Sequence, residues 1–161
     1  MSVRPILRAV LRRGAVGAAV LLLGGADVKQ PAVELVAPST VSAGDTVEIV
    51  LRIRNDGPRP LDLELSGRPV GFDIVVTGAD GAEVWRRLAG SAVGAALMLV
   101  TLQPGETRDF SAHWDQVDSL GRTVSPGRYI LYGILPMGAR RVRTSSRELV
   151  IEPNPASRHQ R

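Results

Sequence analysis

The chain has no cysteine among its 161 residues. This absence excludes disulfide frameworks, thiolate metal sites, cysteine nucleophiles and a lipid-modified cysteine near the N-terminus. It leaves the cellular compartment open, because an exported protein does not need disulfides. Aromatic residues are also scarce, with two Trp, two Tyr and two Phe. So few rings make a poor stacking platform for nucleic-acid bases or sugars.

A basic surface on the body of the chain is missing as well. The formal net charge is +4, but residues 1–26 carry four Arg without an acid, and residues 140–161 carry six Arg against two Glu. The stretch between them, residues 27–139, has 10 basic and 14 acidic residues. Nucleic-acid binding needs basic residues clustered on the folded body, so we expect no nucleic-acid partner.

Motifs for catalysis, phosphate binding or metal binding are absent or weak. No Gly-Lys-Ser/Thr and no G-x-G-x-x-G sequence occurs. Asp109, Ser111 and His113 follow one another two residues apart on a predicted strand, which separates them by about 7 Å and excludes a catalytic triad. Asp115 and Asp118 are spaced like the start of a calcium loop, but no bidentate Glu follows them. We therefore expect no enzyme, no catalytic residue, no metal site and no cofactor.

The chain does contain a regular series of turns between short apolar segments. The turns are Val-Ser-Ala-Gly-Asp at 41–45, Asn-Asp-Gly-Pro at 55–58, Ala-Asp-Gly at 79–81, Gln-Pro-Gly-Glu at 103–106 and Ser-Pro-Gly-Arg at 125–128. The segments between them are too short for typical helices, and several alternate apolar and polar residues as half-buried strands do. The pattern predicts an all-β fold, an antiparallel β-sandwich of about seven to nine short strands.

The clearest strand is Thr46–Arg54, whose odd-numbered apolar residues from Val47 to Ile53 are predicted to face the core. Trp85 and Trp114 each follow an apolar alternation and are predicted to be core residues rather than ligand platforms. The other predicted strands are Val33–Val36, Leu61–Ser66, Phe72–Thr77, Glu83–Trp85, Thr107–Trp114, Tyr129–Leu135 and Arg147–Ile151.

Two segments are harder to interpret. Residues 88–102 carry no charge and contain Gly90-x-x-x-Gly94, a spacing that promotes helix association in membranes. The segment is shorter than the roughly 20 residues of a membrane span, so we predict a loop that leads into a buried strand. Arg140-Arg141-Val-Arg143 is predicted to be a solvated turn before the last strand, with a partner-docking patch as the alternative.

The N-terminal segment has the features of a secretory signal. Met1–Arg13 is basic, and the uninterrupted apolar run Ala15–Leu23 ends in Gly-Gly-Ala. We expect export to the cell envelope or the medium, with cleavage after Ala26. An uncleaved anchor and a cytoplasmic protein with a basic N-terminal helix are the alternatives. The predicted organisation is a signal-like or flexible segment at 1–30, one sandwich domain at 31–152 and a disordered tail at 153–161.

The order of the elements resembles a known family. The segments that carry the resemblance are Leu61-Asp-Leu-Glu-Leu-Ser-Gly67, Phe72-Asp-Ile-Val-Val, Asp80-Gly-Ala-Glu-Val-Trp85-Arg, Thr101-Leu-Gln-Pro-Gly-Glu106, Phe110 to Trp114-Asp115, and Val124-Ser-Pro-Gly-Arg-Tyr129 through Gly133. Over about residues 45–135 they resemble the BsuPI domain, named for an intracellular proteinase inhibitor of bacilli. The resemblance implies an immunoglobulin-like sandwich and a non-enzymatic, inhibitory module. It supplies no reactive-site residue, and the chain departs from the family between Trp85 and Thr101 and in its signal-like leader.

Two functions follow as hypotheses. The first is a protein-binding module resembling a proteinase inhibitor, which contacts a partner, a peptidase among the candidates, through loops or a sheet edge. Pro58–Pro60 and Gly121–Pro126 are candidate binding loops, since rigid convex loops suit a peptidase cleft. The alternative is a structural or accessory protein of the bacterial cell envelope without inhibitory activity. The identity of the partner and the oligomeric state stay open.

Overall fold

The computed structural model describes residues 30–67, 71–91 and 96–154. The eleven strands of these residues are β1 (Ala32–Val36), β2 (Thr40–Ser42), β3 (Val47–Arg54), β4 (Leu61–Ser66), β5 (Asp73–Gly78), β6 (Glu83–Arg86), β7 (Leu97–Leu102), β8 (Thr107–Trp114), β9 (Gly127–Met137), β10 (Arg140–Arg143) and β11 (Arg147–Glu152). The predicted leader up to Lys29, Gly94 and most of the predicted tail lie outside the described residues. Where the chain is described, it has no helix that is long and apolar enough to cross a membrane.

The strands form two sheets. One has three strands in the order β1-β3-β8, and the other has eight, with β2-β11-β9-β4-β7 as its path and β10, β5 and β6 attached beside β9. Every strand pair is antiparallel except β2 with β11, which is parallel. The predicted class, an all-β immunoglobulin-like sandwich, is confirmed.

The core lies between the sheets and is supplied by alternate residues of each strand. On β3, Val47, Ile49, Leu51 and Ile53 are fully buried, as their spacing predicts. The facing layer contributes apolar residues of β4, β5, β9 and β11, which belong to the same cluster. Burying such side chains provides the main stabilisation of a sandwich, since each contributes about 1.5–3 kcal/mol.

The long strand β9 organises the larger sheet. One edge pairs first with β11 and then with β10, and the other pairs with β5 over six residues. Gly133, at its centre, lets the sheets approach closely: a Cβ there would lie 2.7 Å from Leu51 Cδ1. Between β10 and β11, the Thr144 hydroxyl accepts a hydrogen bond from the Gly133 N–H at 2.9 Å. This contact joins the two short strands to β9.

Three strands differ from the sequence-based expectation. The predicted solvated turn at Arg140–Arg143 is wrong, because these residues form β10 and pair with β9. β2 was not expected, since three residues give no readable period. β7 is an edge strand rather than a buried one: it pairs only with β4, and Leu97 and Leu99 are 55% and 77% exposed. The strand count therefore rises to eleven.

Candidate functional site

The loop between β8 and β9, residues 115–126, is held by hydrogen bonds within itself and to two neighbouring segments. A single β-bridge between Val117 and Thr123 narrows it into a small hairpin. Within the hairpin, the Asp118 N–H donates to the Arg122 carbonyl at 2.8 Å. The Gly121 N–H donates to the Asp118 carbonyl at 2.9 Å. We call residues 118–122 the Asp118 turn.

The tip of the Asp118 turn presents an apolar side chain to solvent. Leu120 is 76% exposed. It is followed by Gly121, whose φ of +77° lies in the left-handed region that glycine enters without strain. Asp at the first position and Gly at the fourth are typical of a type I turn. The chain therefore holds a leucine outward at a defined place.

The carboxylate of Asp118 holds the turn together from inside. Its Oδ1 accepts hydrogen bonds from the N–H groups of Leu120 at 2.8 Å and Arg122 at 2.9 Å. Its Oδ2 accepts from the Arg122 guanidinium, Nε at 2.8 Å and Nη2 at 2.7 Å. The Arg122 N–H bond, the Arg122 side chain and the Leu120 N–H lower the pKa of Asp118 below its ordinary value. Hydrogen bonds to the charged form have this effect.

Acid should therefore loosen the Asp118 turn. A carboxyl whose pKa is depressed in the folded state stabilises the fold fully above its unfolded pKa, about 3.9, and loses this contribution as the pH falls through the lower folded value. We expect the amide NMR resonances of Leu120 and Arg122 to titrate together with a midpoint below 3.9. The Asp118→Asn variant should remove this titration. A midpoint at or above the ordinary value would contradict the assignment.

The base of the loop is anchored to the turn between β2 and β3. Gln116 is buried with a φ of +54°. Its side-chain oxygen accepts a hydrogen bond from the Gly44 N–H at 2.9 Å. Its amide nitrogen donates to the carbonyls of Ser42 at 2.8 Å and Asp45 at 2.7 Å. One side chain thus joins two segments that lie 71–74 residues apart in sequence.

Hydrogen bonds of three further residues hold the loop in place. The N–H and the hydroxyl of Ser119 both donate to the Val84 carbonyl of β6, at 2.9 and 3.2 Å. The indole N–H of Trp114 donates to the Val117 carbonyl at 2.8 Å. At the far end, the Tyr129 hydroxyl donates to the Ser125 carbonyl at 2.6 Å. Its burial raises the pKa of Tyr129, so the hydroxyl keeps its proton at neutral pH.

A groove of about 580 Å³ lies between this loop and β6. Its lining includes Glu83, Val84, Leu120, Arg122 and Tyr129. The three charged residues of the lining have internal partners, since Glu83 Oε2 lies 3.6 Å from Arg86 Nε, and Arg122 pairs with Asp118, which also lines the groove. An exposed apolar side chain beside a polar, charge-paired rim resembles the arrangement of protein–protein interfaces, which have an apolar centre and a polar rim.

The other predicted loop, Pro58–Pro60, is also rigid but presents a different residue. The amide nitrogen of buried Asn55 donates to the carbonyls of Arg59 at 2.8 Å and Leu102 at 2.9 Å. Its oxygen accepts from the Gly57 N–H at 2.9 Å. The three residues at its tip, Pro58, Arg59 and Pro60, are exposed. This loop offers a cation between two prolines and no large apolar side chain.

The weak catalytic and metal motifs find structural roles instead. Asp109 forms a two-point ion pair with Arg52 at 2.8 Å, and this hydrogen bond lowers the pKa of Asp109. His113 is exposed and lies opposite Glu48 on β3. The Asp115 carboxylate accepts a hydrogen bond from the Thr46 hydroxyl at 2.8 Å. Among the described residues, no three acidic or histidine side chains cluster as metal ligands do.

The sequence interpretation missed the two residues that define the site. Gly121–Pro126 covers only the second half of the loop, and Asp118 was considered only as a calcium ligand. The sequence patterns used for prediction do not single out Leu120. The signal was present in Asp-Ser-Leu-Gly, a turn tetrapeptide with an apolar residue at its third position in an otherwise polar loop.

Residues 35–139 match the BsuPI family, described as intracellular proteinase inhibitor. The match covers about two thirds of the chain and includes both candidate loops. The chain belongs to the BsuPI family. The resemblance noted over residues 45–135 is confirmed, and it makes this BsuPI domain a proteinase-inhibitor-like module. The curated proteins contain no match to the chain.

Several solved structures match the chain at low sequence identity. Latent PorU from Porphyromonas gingivalis matches with 13% identity and a TM-score of 0.46, over 80% of this chain and 10% of that one. The alkylpurine DNA glycosylase AlkC from Pseudomonas fluorescens matches with 14% identity and a TM-score of 0.39, over 75% of this chain and 29% of that one. A CARDB domain from Pyrococcus furiosus matches with 14% identity and a TM-score of 0.39, over 78% of this chain and 90% of that one. The BsuPI chain thus spans under a third of the first two proteins.

Proposed function

We propose that this BsuPI domain inhibits a peptidase by docking the loop at residues 115–126 against the enzyme. The observation that carries the proposal is the exposed Leu120 at the tip of a turn fixed by hydrogen bonds. Family membership supports a peptidase as the partner. The alternative, an accessory envelope protein, draws on the signal-like leader of the sequence and on no feature of the residues that the structure describes.

Rigidity is what makes this loop suited to inhibition. Binding a peptidase with a flexible loop loses the free energy needed to order that loop, and a pre-organised loop avoids this cost. Here Asp118 fixes the turn from inside, while Gln116 and Ser119 fix it to the neighbouring β2–β3 turn and β6. The loop can therefore meet a cleft in the conformation it already has.

The two candidate loops differ in what they could insert. Moving the Leu120 side chain from water into an apolar pocket is favourable, since burying a leucine side chain contributes about 1.5–3 kcal/mol of free energy. Arg59 would need an acidic partner group to offset the cost of removing its charge from water. The loop at residues 115–126 is therefore the better candidate, and Arg59 in the Pro58–Pro60 loop provides a matched comparison.

Inhibition can be tested by titrating the purified chain into a panel of peptidases and following the hydrolysis of fluorogenic peptides. We expect a saturable fall in the initial rate for at least one enzyme. Asp118→Ala should weaken that inhibition on the order of 10-fold, because the turn loses its internal acceptor. Arg59→Ala should leave it unchanged. Unaltered rates across the panel would count against inhibition and favour the accessory role.

A further inference from the structure

The backbone of the Asp118 turn determines how Leu120 can enter a peptidase. The Gly121 N–H donates to the Asp118 carbonyl, so Ser119 and Leu120 are the central residues of a four-residue turn. Neither has a positive φ, since Gln116 alone has one among the described non-glycine residues. Only the type I turn fits both facts, and it places Leu120 near φ of about −90° and ψ of about 0°.

This conformation differs from the one that a substrate adopts. Peptides that bind along a cleft or sheet edge lie extended and hydrogen-bond as an added strand. Leu120 is bent, and its own N–H donates to Asp118 Oδ1 instead of facing outward. Extending it would break the Asp118 carboxylate contacts, the Gly121 bond and the Ser119 contacts with Val84.

We propose that Leu120 acts as an uncleaved plug: its side chain fills an apolar pocket of the peptidase while the Leu120–Gly121 peptide bond stays out of the catalytic position. The partner is then an endopeptidase whose primary specificity pocket accepts a large aliphatic side chain. This inference rests on the proposed function and adds the pocket chemistry and the fate of the bound loop. No bond forms or breaks in the inhibitor.

Charge plays little part in this docking. The acidic and basic groups around the tip are already paired with each other, Asp118 with Arg122 and Glu83 with Arg86. Salt screens interactions between charges of two partners, and none is needed here. The inhibition constant should therefore change by less than about 3-fold when the ionic strength rises from about 0.05 M to about 0.5 M, which shortens the Debye length roughly threefold.

The matched control is another exposed leucine. Leu99 on β7 is 77% exposed, against 76% for Leu120, so the two truncations remove the same atoms from equally solvated positions. With an enzyme that the unmodified chain inhibits, Leu120→Ala should weaken inhibition about 30-fold, as hot-spot truncations do. Leu120→Phe should stay within about 5-fold of the unmodified chain, and Leu99→Ala should match it.

Mass spectrometry after prolonged incubation tests the fate of the loop. We expect the recovered inhibitor to be intact at residues 120–121. If the unmodified chain inhibits no enzyme, the proposed function fails and this inference fails with it. If the chain inhibits but Leu120→Ala inhibits equally well, or a cut after Leu120 accumulates in the complex, the plug is excluded while inhibition stands.

Discussion

Truncating Trp114 to alanine should destabilise the domain by about 4 kcal/mol. The side chain is 1% exposed and lies between two other rings. Its centroid is 5.7 Å from that of Tyr129, edge to face, and 6.3 Å from that of Trp85. The indole N–H also donates to the Val117 carbonyl. Removing the indole therefore opens a large cavity at the point where the core meets the loop at residues 115–126.

The size of this effect follows from how little stability a domain has. Unfolding free energies of single domains are typically about 5–15 kcal/mol, so Trp114→Ala should remove a large fraction of the unfolding free energy of this domain. In a thermal denaturation, we expect a midpoint lower by roughly 10–20 °C. In a urea denaturation, the urea concentration at the midpoint should fall in proportion. A midpoint within about 2 °C of the unmodified protein would show that Trp114 does not hold the core together.

Trp114→Phe separates packing from hydrogen bonding at the same position. Phenylalanine keeps an aromatic ring beside Tyr129 but cannot donate to the Val117 carbonyl. The expected loss is about 1–2 kcal/mol, which combines the unmade bond with the smaller ring. If Phe were as disruptive as Ala, the hydrogen bond rather than the cavity would dominate.

The parts of the fold that the sequence predicts are those with one buried and one solvated face. β3 is the clearest example, because Glu48 and Arg54 alternate with four apolar residues that all reach the core. β10 shows the opposite case. Three of its residues are exposed arginines, and it exists because the turn at Gly138, with φ of +55°, returns the chain along β9. Its stability comes from the partner strand, so its own sequence gives no period to read.

β7 shows why apolar content does not establish burial. Leu97 and Leu99 lie on the same side of β7 and stay exposed, while Leu102 at its end is buried. Hydrophobicity predicts that a segment is a strand, but which face is covered depends on what packs against it. In this sheet β7 pairs only with β4.

The candidate site was predictable only in part, for a similar reason. A turn around Gly121 follows from local sequence, and the notion of a rigid loop follows from the proline that ends it. The bonds that fix the loop join residues far apart: Gln116 reaches the turn at residues 42–45, and Ser119 reaches Val84. A buried glutamine in a polar stretch looks like any loop residue until the β2–β3 turn is brought beside it.

Replacing Gln116 with leucine should destabilise the domain by about 3 kcal/mol. Leucine has nearly the same volume but cannot bond with the Gly44 N–H or the Ser42 and Asp45 carbonyls. Each polar group left without a partner in a buried position costs about 1–3 kcal/mol, and these three are part-buried. A urea titration would measure the loss. Gln103→Leu is the matched control, because Gln103 is exposed, and it should stay within about 0.5 kcal/mol of the unmodified protein.

Gln116→Leu should also weaken inhibition, beyond its effect on stability. The side chain is the contact that fixes the base of the Asp118 turn to the β2–β3 turn, so its loss lets the loop move while the strands stay folded. At a temperature well below the midpoint of the variant, we expect inhibition on the order of 10-fold weaker, since the loop must then be ordered on binding. Ile53→Ala serves as the comparison, because Ile53 is fully buried and lies at the end of β3 away from Trp114 and the loop, so its loss lowers stability without touching Gln116. If both variants inhibit equally well when folded, anchoring of the loop does not determine affinity, and the exposed leucine acts without it.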